Sequence, residues 1–217
     1  MLKQFIVPLF LIGTVLFSMN SKKAGKPLVI TASADADSML NMHLWKLIKG
    51  AGDEFNGSSI DTFKWKTGLW YDVSGDFAFR KENILVSNGR LHLTAKKEQY
   101  NNKEYTIAAV ESKFDLPAEP SLVRVRAKLL PDSANVCSAI WLQSWPEVMN
   151  NPNPEIDIIE YFQRNEMHMN LFTWDKDSAG NYSHVDYKGN IFDYKKDMSA
   201  AYHIYGLART KGVLQFY

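Results

Sequence analysis

The sequence predicts an all-β protein, a two-sheet sandwich or jelly roll, from three observations. Short apolar or alternating runs recur along residues 44–217, among them "NILVSNGRLHLTAKK", "SLVRVRAKLLP" and "VCSAIWLQSW". Turn-forming residues separate these runs. No segment carries a convincing helical period of apolar residues. Many short strands divided by turns are typical of sandwiches and jelly rolls.

Individual runs support the strand prediction. "VSNGRLHL" contains Asn88-Gly89, which is a strong signal for a tight hairpin. "LVRVRAKL" alternates, with Val123, Val125 and Ala127 on one face and Arg124, Arg126 and Lys128 on the other. Further turn signals lie at residues 117–120, 131–132, 150–154, 180–181 and 189–190. The sequence shows no internal repeat, so we expect one β-rich domain.

Composition and charge limit the partners. The chain has 217 residues, of which 46% are hydrophobic and 23% charged, as in globular proteins. The formal net charge of +1 excludes a general polyanion-binding field, so we expect no nucleic-acid partner, although a local basic pocket is compatible with it. Cys137 is the single cysteine, which excludes an internal disulfide and a cysteine-based zinc site. We expect it to be a small buried residue.

The N-terminal segment resembles an export signal. Lys3 precedes an apolar run from Phe5 to Phe17, which is shorter than the roughly 20 residues that span a membrane. We predict a signal peptide over residues 1–21, outside the fold, and export to the periplasm or medium with no stable membrane span after its removal. An uncleaved anchor or a buried segment is the alternative. Residues 22–43 are predicted to be a linker, followed by one domain over residues 44–217.

The stretch "NPNPEIDIIEYF" (residues 151–162) combines an apolar strand pattern with three acids, Glu155, Asp157 and Glu160. Successive side chains of a strand point to opposite faces, so Glu155 and Asp157 share one face whereas Glu160 falls on the other. A β-bulge at Ile158-Ile159 would shift the phase by one residue. The sequence therefore predicts a bulge that returns Glu160 to the row of the other two acids.

Three carboxylates on one face repel one another, so at least one pKa must rise. Glycoside hydrolysis uses such a row, because it needs one ionised carboxylate as nucleophile and one protonated carboxyl group as acid. A solvated acidic edge strand and a site for a hard cation are the alternatives. Nearby aromatic residues favour a sugar, since indole rings stack on sugar faces. Trp70, Trp141 and Trp145 are the candidates, and each could instead belong to the core.

The order of these segments resembles glycoside hydrolase family 16. "EIDIIE" is similar to the bulged form of the family's catalytic signature, and "WKLIKGAGDEFNGSSIDTFKW", "ENILVSNGRLHLTA", "SAIWLQ" and "YHIYGLARTKGVLQFY" resemble flanking segments in the same order. The resemblance covers about residues 44–217. It implies a concanavalin-like β-jelly-roll and retaining hydrolysis of a β-linked polysaccharide. We expect a monomer that needs no cofactor for catalysis. The family often holds a structural calcium, for which no ligands are assigned here.

The resemblance assigns roles to individual residues. Glu155 matches the nucleophile, Glu160 the general acid/base and Asp157 the helper between them. Retention requires the two glutamate carboxyl groups to approach within ~5–5.5 Å. His168 matches a histidine that faces the cleft, and its alternative is a polar residue on a half-exposed strand. Phe172 stands where the family often has a second histidine.

The end of the chain departs from the family, whose members continue with a turn and further strands after the segment that resembles "VLQFY". The jelly roll is therefore expected to be incomplete at its C-terminus, with unpaired strand edges. We expect the 217-residue chain to be poorly stable and weakly active or inactive.

The substrate prediction is an algal galactan, agarose or porphyran. "GDFAFRKENILVSNGRLHLTAKKE", "YTIAAVESKF" and "EIDIIEYFQR" look more like the agarases and porphyranases than like the laminarinases. Arginine suits a sulfate ester, so Arg80 and Arg164 are candidates, although each could be an ordinary surface arginine. A β-1,3-glucan is the second substrate. A non-catalytic carbohydrate-binding jelly roll and a decayed gene fragment are the other hypotheses.

Overall fold

The described part of the chain is built from strands. In a computed structural model, the described residues are 6–10, 29–32, 45–48, 50–71, 75–116, 120–143, 153–162, 166–193, 196–210 and 213–217. The strands are β1 (Ile6–Phe10), β2 (Val29–Ala32), β3 (Trp65–Thr67), β4 (Phe77–Phe79), β5 (Ile84–Ser87), β6 (Arg90–Leu93), β7 (Lys96–Tyr100), β8 (Lys103–Ile107), β9 (Val110–Ser112), β10 (Ser121–Ala127), β11 (Cys137–Gln143), β12 (Asn153–Phe162), β13 (Glu166–Lys176), β14 (Tyr182–Asp193), β15 (His203–Thr210) and β16 (Val213–Phe216). Two 3₁₀ turns, Lys81–Asn83 and Asp132–Ala134, are the only helical segments among these residues. The predicted all-β class is confirmed.

Two sheets form the main body. The larger has the order β1-β11-β12-β13-β14, and the second has the order β10-β15-β16-β2. The consecutive strands β11 to β14 pair antiparallel, as expected for short connections. Smaller sheets, β3-β9, β4-β8-β7 and β5-β6, complete the described part.

A shared hydrophobic core joins the two main sheets. One apolar cluster contains side chains from β10, β15 and β16 together with side chains from β11, β12 and β13. Its most buried members, each at most 2% exposed, are Ile140, Leu142, Ile156, Ile158, Ile159, Tyr161, Leu207, Leu214 and Phe216. Full burial of such a side chain contributes about 1.5–3 kcal/mol. The packing makes a sandwich, and the opposite face of the larger sheet is left for the acidic row.

Two local predictions are confirmed. Strands β5 and β6 form a tight hairpin in which Asn88 and Gly89 have φ values of 53° and 66°. Positive φ at both central residues is the requirement of a type I′ turn, which explains the Asn-Gly sequence. In β10, Val123 and Val125 pack against the core, whereas the alternating Arg124 is exposed.

The N-terminal strands lie where the sequence predicted no structure. β1 pairs parallel with β11, and β2 pairs parallel with β16. They come from the segments predicted to be a signal peptide and a linker, residues 1–21 and 22–43. The physical reason is that an exposed strand edge accepts any extended segment through backbone hydrogen bonds. Removal of residues 1–21 stays a prediction. Within the described ranges, no helix has the length and hydropathy to cross a membrane.

Candidate active site

The bulge in β12 places the three acids in one row. Ile140 of β11 pairs with Ile159, but the next residue, Trp141, pairs with Asp157, so Ile158 is the extra residue. On the other side, the pairing with β13 shifts between Asp157 and Glu160. Both isoleucines are consequently buried in the core, at 1% and 0% exposure. The predicted bulge is confirmed, and Glu160 lies on the same face as Glu155 and Asp157.

Burial changes the charge state of this row. Asp157 is 2% exposed, and Glu155 and Glu160 are partly buried beside it. Burial, together with the charge of Glu160, raises the pKa of Glu155 to about 8. Burial raises the pKa of Glu160 to about 7, and burial and both glutamates raise the pKa of Asp157 well above its usual value. The row therefore retains protons at neutral pH, which an acid catalyst requires.

Asn170 of β13 connects two of the acids. Its Nδ2 donates hydrogen bonds to Asp157 Oδ2 at 3.1 Å and to Glu160 Oε2 at 2.9 Å. An amide nitrogen carries two hydrogens, so one side chain can hold both carboxyl groups. These bonds favour the ionised forms and oppose the effect of burial on both pKa values.

Two aromatic residues, Trp174 and Tyr71, lie next to the row. Trp174 Nε1 donates a hydrogen bond to Glu155 Oε2 at 3.0 Å, which opposes the rise in the pKa of Glu155. Tyr71 lies close enough to the row that its own pKa is raised, first by burial and then by the charges of Glu155, Glu160 and Asp157. Trp174 thus favours the ionised form of Glu155, and the row in turn disfavours ionisation of Tyr71.

Strand register defines the rest of the cleft face. Residues opposite each other in an antiparallel pair point to the same face. Gln143 and Phe172 flank Glu155, Trp141 and Asn170 flank Asp157, and Ala139 and His168 flank Glu160. This face carries amide, aromatic and imidazole groups around the acids, which are groups suited to binding a sugar ring and its hydroxyls.

The predicted tryptophans have different positions. Trp70 and Trp141 contact each other with ring centroids 5.8 Å apart at 60°, and Tyr71 packs on the other side of Trp70 at 5.0 Å. Trp141 is 6% exposed, so it supports Trp70 more than it faces solvent. Trp145 lies outside the described residues. The structure thus brings Trp70, Trp141 and Tyr71 together beside the acidic row, and a sugar-binding role for them stays a prediction.

The other residues predicted to bind the substrate, His168, Arg80 and Arg164, have different surroundings. His168 lies beside Glu160, and its Nε2 is 3.4 Å from Glu166 Oε2. Arg80 is already engaged, because its Nη1 donates to Glu98 at 2.8 Å and its Nε to Glu82 at 3.3 Å. Arg164 lies outside the described residues. A sulfate-binding role for either arginine stays a prediction, and Arg80 would have to exchange its carboxylate partners for the sulfate.

Sequence reasoning missed three residues of this site. Asn170, Trp174 and Gln143 were not predicted, although all three point into the cleft. A signal was present for the first two, since His168, Asn170, Phe172 and Trp174 alternate on one face of β13. Their importance depends on which acid each one meets, and that requires the cross-strand register.

No metal centre is apparent at the row or elsewhere in the described ranges, where no group of three or more His, Cys, Asp or Glu side chains could hold an ion. Cys137 is buried and unpaired, as predicted for a structural residue. A structural calcium, which the family often holds, stays a prediction without named ligands.

Known proteins share the fold and parts of the sequence. The solved structure of porphyranase B from Zobellia galactanivorans superimposes with a TM-score of 0.62 at 21% identity, covering 76% of this chain and 68% of that one. The curated beta-porphyranase B of the same organism is 39% identical over 67 residues, which are 29% of this chain and 23% of that protein.

The clotting factor G alpha subunit of Tachypleus tridentatus is 28% identical over 187 residues, covering 80% of this chain. The chain spans about a quarter of the length of these two curated relatives, at 25% and 23%. The sequence model described as glycosyl hydrolases family 16 matches residues 72–217. Because this match covers more than half of the chain, the protein belongs to glycosyl hydrolases family 16.

Proposed function

We propose that the protein is a retaining, endo-acting glycoside hydrolase that cleaves a β-linked polysaccharide. The observation that carries this proposal is the bulged strand, which puts Glu155, Asp157 and Glu160 in one row with raised pKa values. A β-sandwich without catalysis has no physical reason to bury three adjacent carboxyl groups, because burial disfavours their charge.

The proposed mechanism uses the two glutamates in sequence. Glu155 attacks the anomeric carbon while Glu160 gives its proton to the glycosidic oxygen, so the bond to the leaving sugar breaks as the glycosyl–enzyme ester forms. Glu160, now ionised, then takes a proton from water, and the resulting hydroxide attacks the anomeric carbon and releases Glu155. Asn170, which also donates to Asp157, holds Glu160 through this change of charge.

The proton arrangement that these pKa values favour differs from the one that attack requires. Glu155 must be ionised and Glu160 protonated, yet the pKa of Glu155 is about 8 and that of Glu160 about 7. The charge of Glu160 raises the pKa of Glu155, so the protons belong to the row as a unit. Transfer of one proton to Glu160 removes this charge and lets Glu155 ionise, with the indole N–H of Trp174 supporting the anion.

For the substrate, we propose an algal galactan, agarose or porphyran. The likeness of "EIDIIEYFQR" and the segments before it to agarases and porphyranases supports this choice, as does the 39% identity to a porphyranase over a short segment. Cleavage of such a polymer would take place outside the cell, in keeping with the signal peptide predicted over residues 1–21.

A neutral β-1,3-glucan is the second candidate, and one observation favours it. The residues that flank the acidic row by register are Ala139, Trp141, Gln143, His168, Asn170 and Phe172, and none of them is lysine or arginine. A sulfate ester bound beside the row would find no guanidinium or ammonium group among these residues. Within the galactans, the same observation favours agarose over porphyran.

Product analysis tests the proposal. The chain is incubated with agarose, porphyran, carrageenan and laminarin, and released reducing ends and oligosaccharides are measured for the parent and for Glu155→Gln. We expect oligosaccharides from one galactan, none from Glu155→Gln, and retained polymer binding by that variant. Glu104→Gln, at an exposed position on β8, is the control and should match the parent.

Three outcomes would contradict the proposed nucleophile, the proposed substrate or catalysis itself. Release of reducing ends by Glu155→Gln at the parent's rate would refute the nucleophile assignment. Cleavage of laminarin alone would show that the substrate is a β-glucan and not a galactan. If the parent bound a polymer but cleaved none, the protein would be a non-catalytic carbohydrate-binding jelly roll.

A further inference from the structure

At the outer face of the second sheet, Arg126 of β10 and Arg90 of the β5-β6 hairpin lie over one tyrosine ring. We define the arginine–tyrosine patch as Arg90, Arg126, Tyr202 and Ile204. The Arg126 guanidinium carbon lies 4.4 Å from the centre of the Tyr202 ring, and that of Arg90 lies 5.5 Å from it. Tyr202 is 38% and Ile204 45% exposed, and both arginines are exposed. Two positive charges are thus held together at the surface beside apolar side chains.

The patch lies on the side of the sandwich opposite to the catalytic cleft. Arg126 pairs with Ile204 across β10 and β15, so the two side chains share a face. Their neighbours Val125 and Tyr205 point the other way, into the core between the sheets. The acidic row lies on the far face of the other sheet. Any ligand of the patch therefore binds at a site separate from the cleft.

The two arginines of the patch differ from Arg80 in their carboxylate partners. Arg80 also stacks on a tyrosine, Tyr100, at 4.9 Å, and its guanidinium is neutralised by Glu98 and Glu82. For Arg90 and Arg126, the described residues provide no carboxylate within 4.0 Å. Holding two like charges over one ring is unfavourable, and an anion bound between them would relieve the repulsion.

We propose that the arginine–tyrosine patch binds an anionic polysaccharide chain. The planar guanidinium groups present paired N–H donors that match the oxygens of a sulfate ester or a uronic carboxylate. Ile204 and the exposed part of Tyr202 offer apolar surface to the adjoining sugar ring. A nucleic acid is disfavoured, because it needs a broad basic field and the chain has a net charge of +1. The site goes beyond the proposed hydrolysis and would hold the polymer near the enzyme.

Affinity electrophoresis tests this site. Native gels contain porphyran (sulfated), alginate (uronic) or laminarin (neutral), and all proteins carry Glu155→Gln so that failure or success of hydrolysis does not affect the result. Arg90→Gln with Arg126→Gln removes the patch. The matched control is Lys96→Gln with Lys97→Gln, which removes the same charge from exposed positions on β7, where Lys97 lies 5.9 Å from the Tyr105 ring.

We expect porphyran or alginate, but not laminarin, to retard the protein. The arginine double variant should bind the anionic polymer about tenfold more weakly, since two surface ion contacts are lost, and the lysine control should bind like its parent. The polymer that gives the stronger retardation identifies the anionic group.

Equal retardation of the arginine variant and the lysine control would overturn the proposal, as would equal retardation by laminarin. Thermal unfolding checks that the variants fold. If the arginine double variant does not fold, Arg126→Lys replaces it, because it keeps the charge and loses the planar fork. Weaker binding by Arg126→Lys than by the parent supports the site, and unchanged binding contradicts it.

Discussion

Asn170 is the residue on which the charge balance of the row depends. Its amide donates to Asp157 and Glu160, while Trp174 donates to Glu155, so each acid has a donor that lowers its pKa against the effect of burial. Without these donors the row would retain more protons, and Glu160 would release its proton less readily. The donors therefore keep the pKa of Glu160 close to neutral, so that its proton can leave and return during the reaction.

Replacing Asn170 by alanine should lower kcat about 10- to 100-fold, because a hydrogen bond to a charged group contributes roughly 1.5–3 kcal/mol. It should also move the alkaline limb of the pH–kcat profile to higher pH. The reason is that Asn170 lowers the pKa of Glu160, so its removal lets Glu160 keep its proton longer. The measurement is kcat between pH 5 and pH 9 on the polysaccharide that the parent cleaves.

Thr173→Ala, on the opposite face of β13, is the control for this experiment and should keep the parent's profile. A merely structural role for Asn170 would lower kcat at every pH and leave the alkaline limb in place. That outcome would contradict the assignment of Asn170 as a positioning residue.

At the scale of the element, β12 shows how a bulge accommodates one extra residue without breaking up the acidic row. The strand buries Ile156, Ile158, Ile159 and Tyr161 and turns the three acids away from the core. Without the bulge, strict alternation would put Glu160 among these apolar side chains, where its charge would be unfavourable. The bulge therefore allows the core to be filled and the acidic row to form in the same strand.

Deleting Ile158 should remove the bulge and keep the acidic row. Ile158 is the extra residue, so the shortened stretch Glu-Ile-Asp-Ile-Glu alternates strictly and Glu160 still shares a face with Glu155 and Asp157. The deletion variant should therefore retain hydrolysis. The comparison is Ile158→Ala, which keeps the bulge and loses stability, about 2–5 kcal/mol for a buried isoleucine. Activity is measured at low temperature, after circular dichroism has shown that each variant is folded.

We expect both Ile158→Ala and the deletion variant to hydrolyse the substrate below their melting temperatures. A folded deletion variant without activity would contradict the prediction that alternation alone keeps Glu160 in the row.

At the scale of the whole molecule, the buried row makes stability depend on pH. In the unfolded chain the glutamates have pKa values near 4.5, and in the folded protein these rise to about 8 for Glu155 and about 7 for Glu160. The folded state thus binds more protons than the unfolded state between these values. Stability is then greatest at low pH within this window and falls as pH rises from about 4.5 to about 8.

Glu160→Gln should consequently stabilise the protein at pH 8 and have little effect at pH 5. At pH 8 its melting temperature should exceed the parent's by at least about 2 °C, the change that roughly 1 kcal/mol produces in a chain of this size. Glu104→Gln, at an exposed position, should change neither value. A gain from Glu160→Gln that is equal at both pH values would show that the gain does not come from the raised pKa.

Much of the fold and the centre of the site could be predicted from the sequence. Alternation in β10, the Asn-Gly turn and the Ile158-Ile159 pair are local signals, and each one predicted its element correctly. The role of Asn170 could not be predicted in the same way, because it depends on pairing between two strands. For the same reason the pairing of Arg80 with Glu98 and the pairing of β1 and β2 were missed, since these contacts join different segments of the chain.

The central claim is that the row of Glu155, Asp157 and Glu160 performs retaining hydrolysis. Proton NMR of the anomeric signals tests it most directly, when spectra are taken in the first minutes of cleavage, before the new reducing ends mutarotate. The account predicts that the β-anomer appears first, because two successive displacements at the anomeric carbon preserve its configuration. First appearance of the α-anomer would show a single displacement and contradict the account.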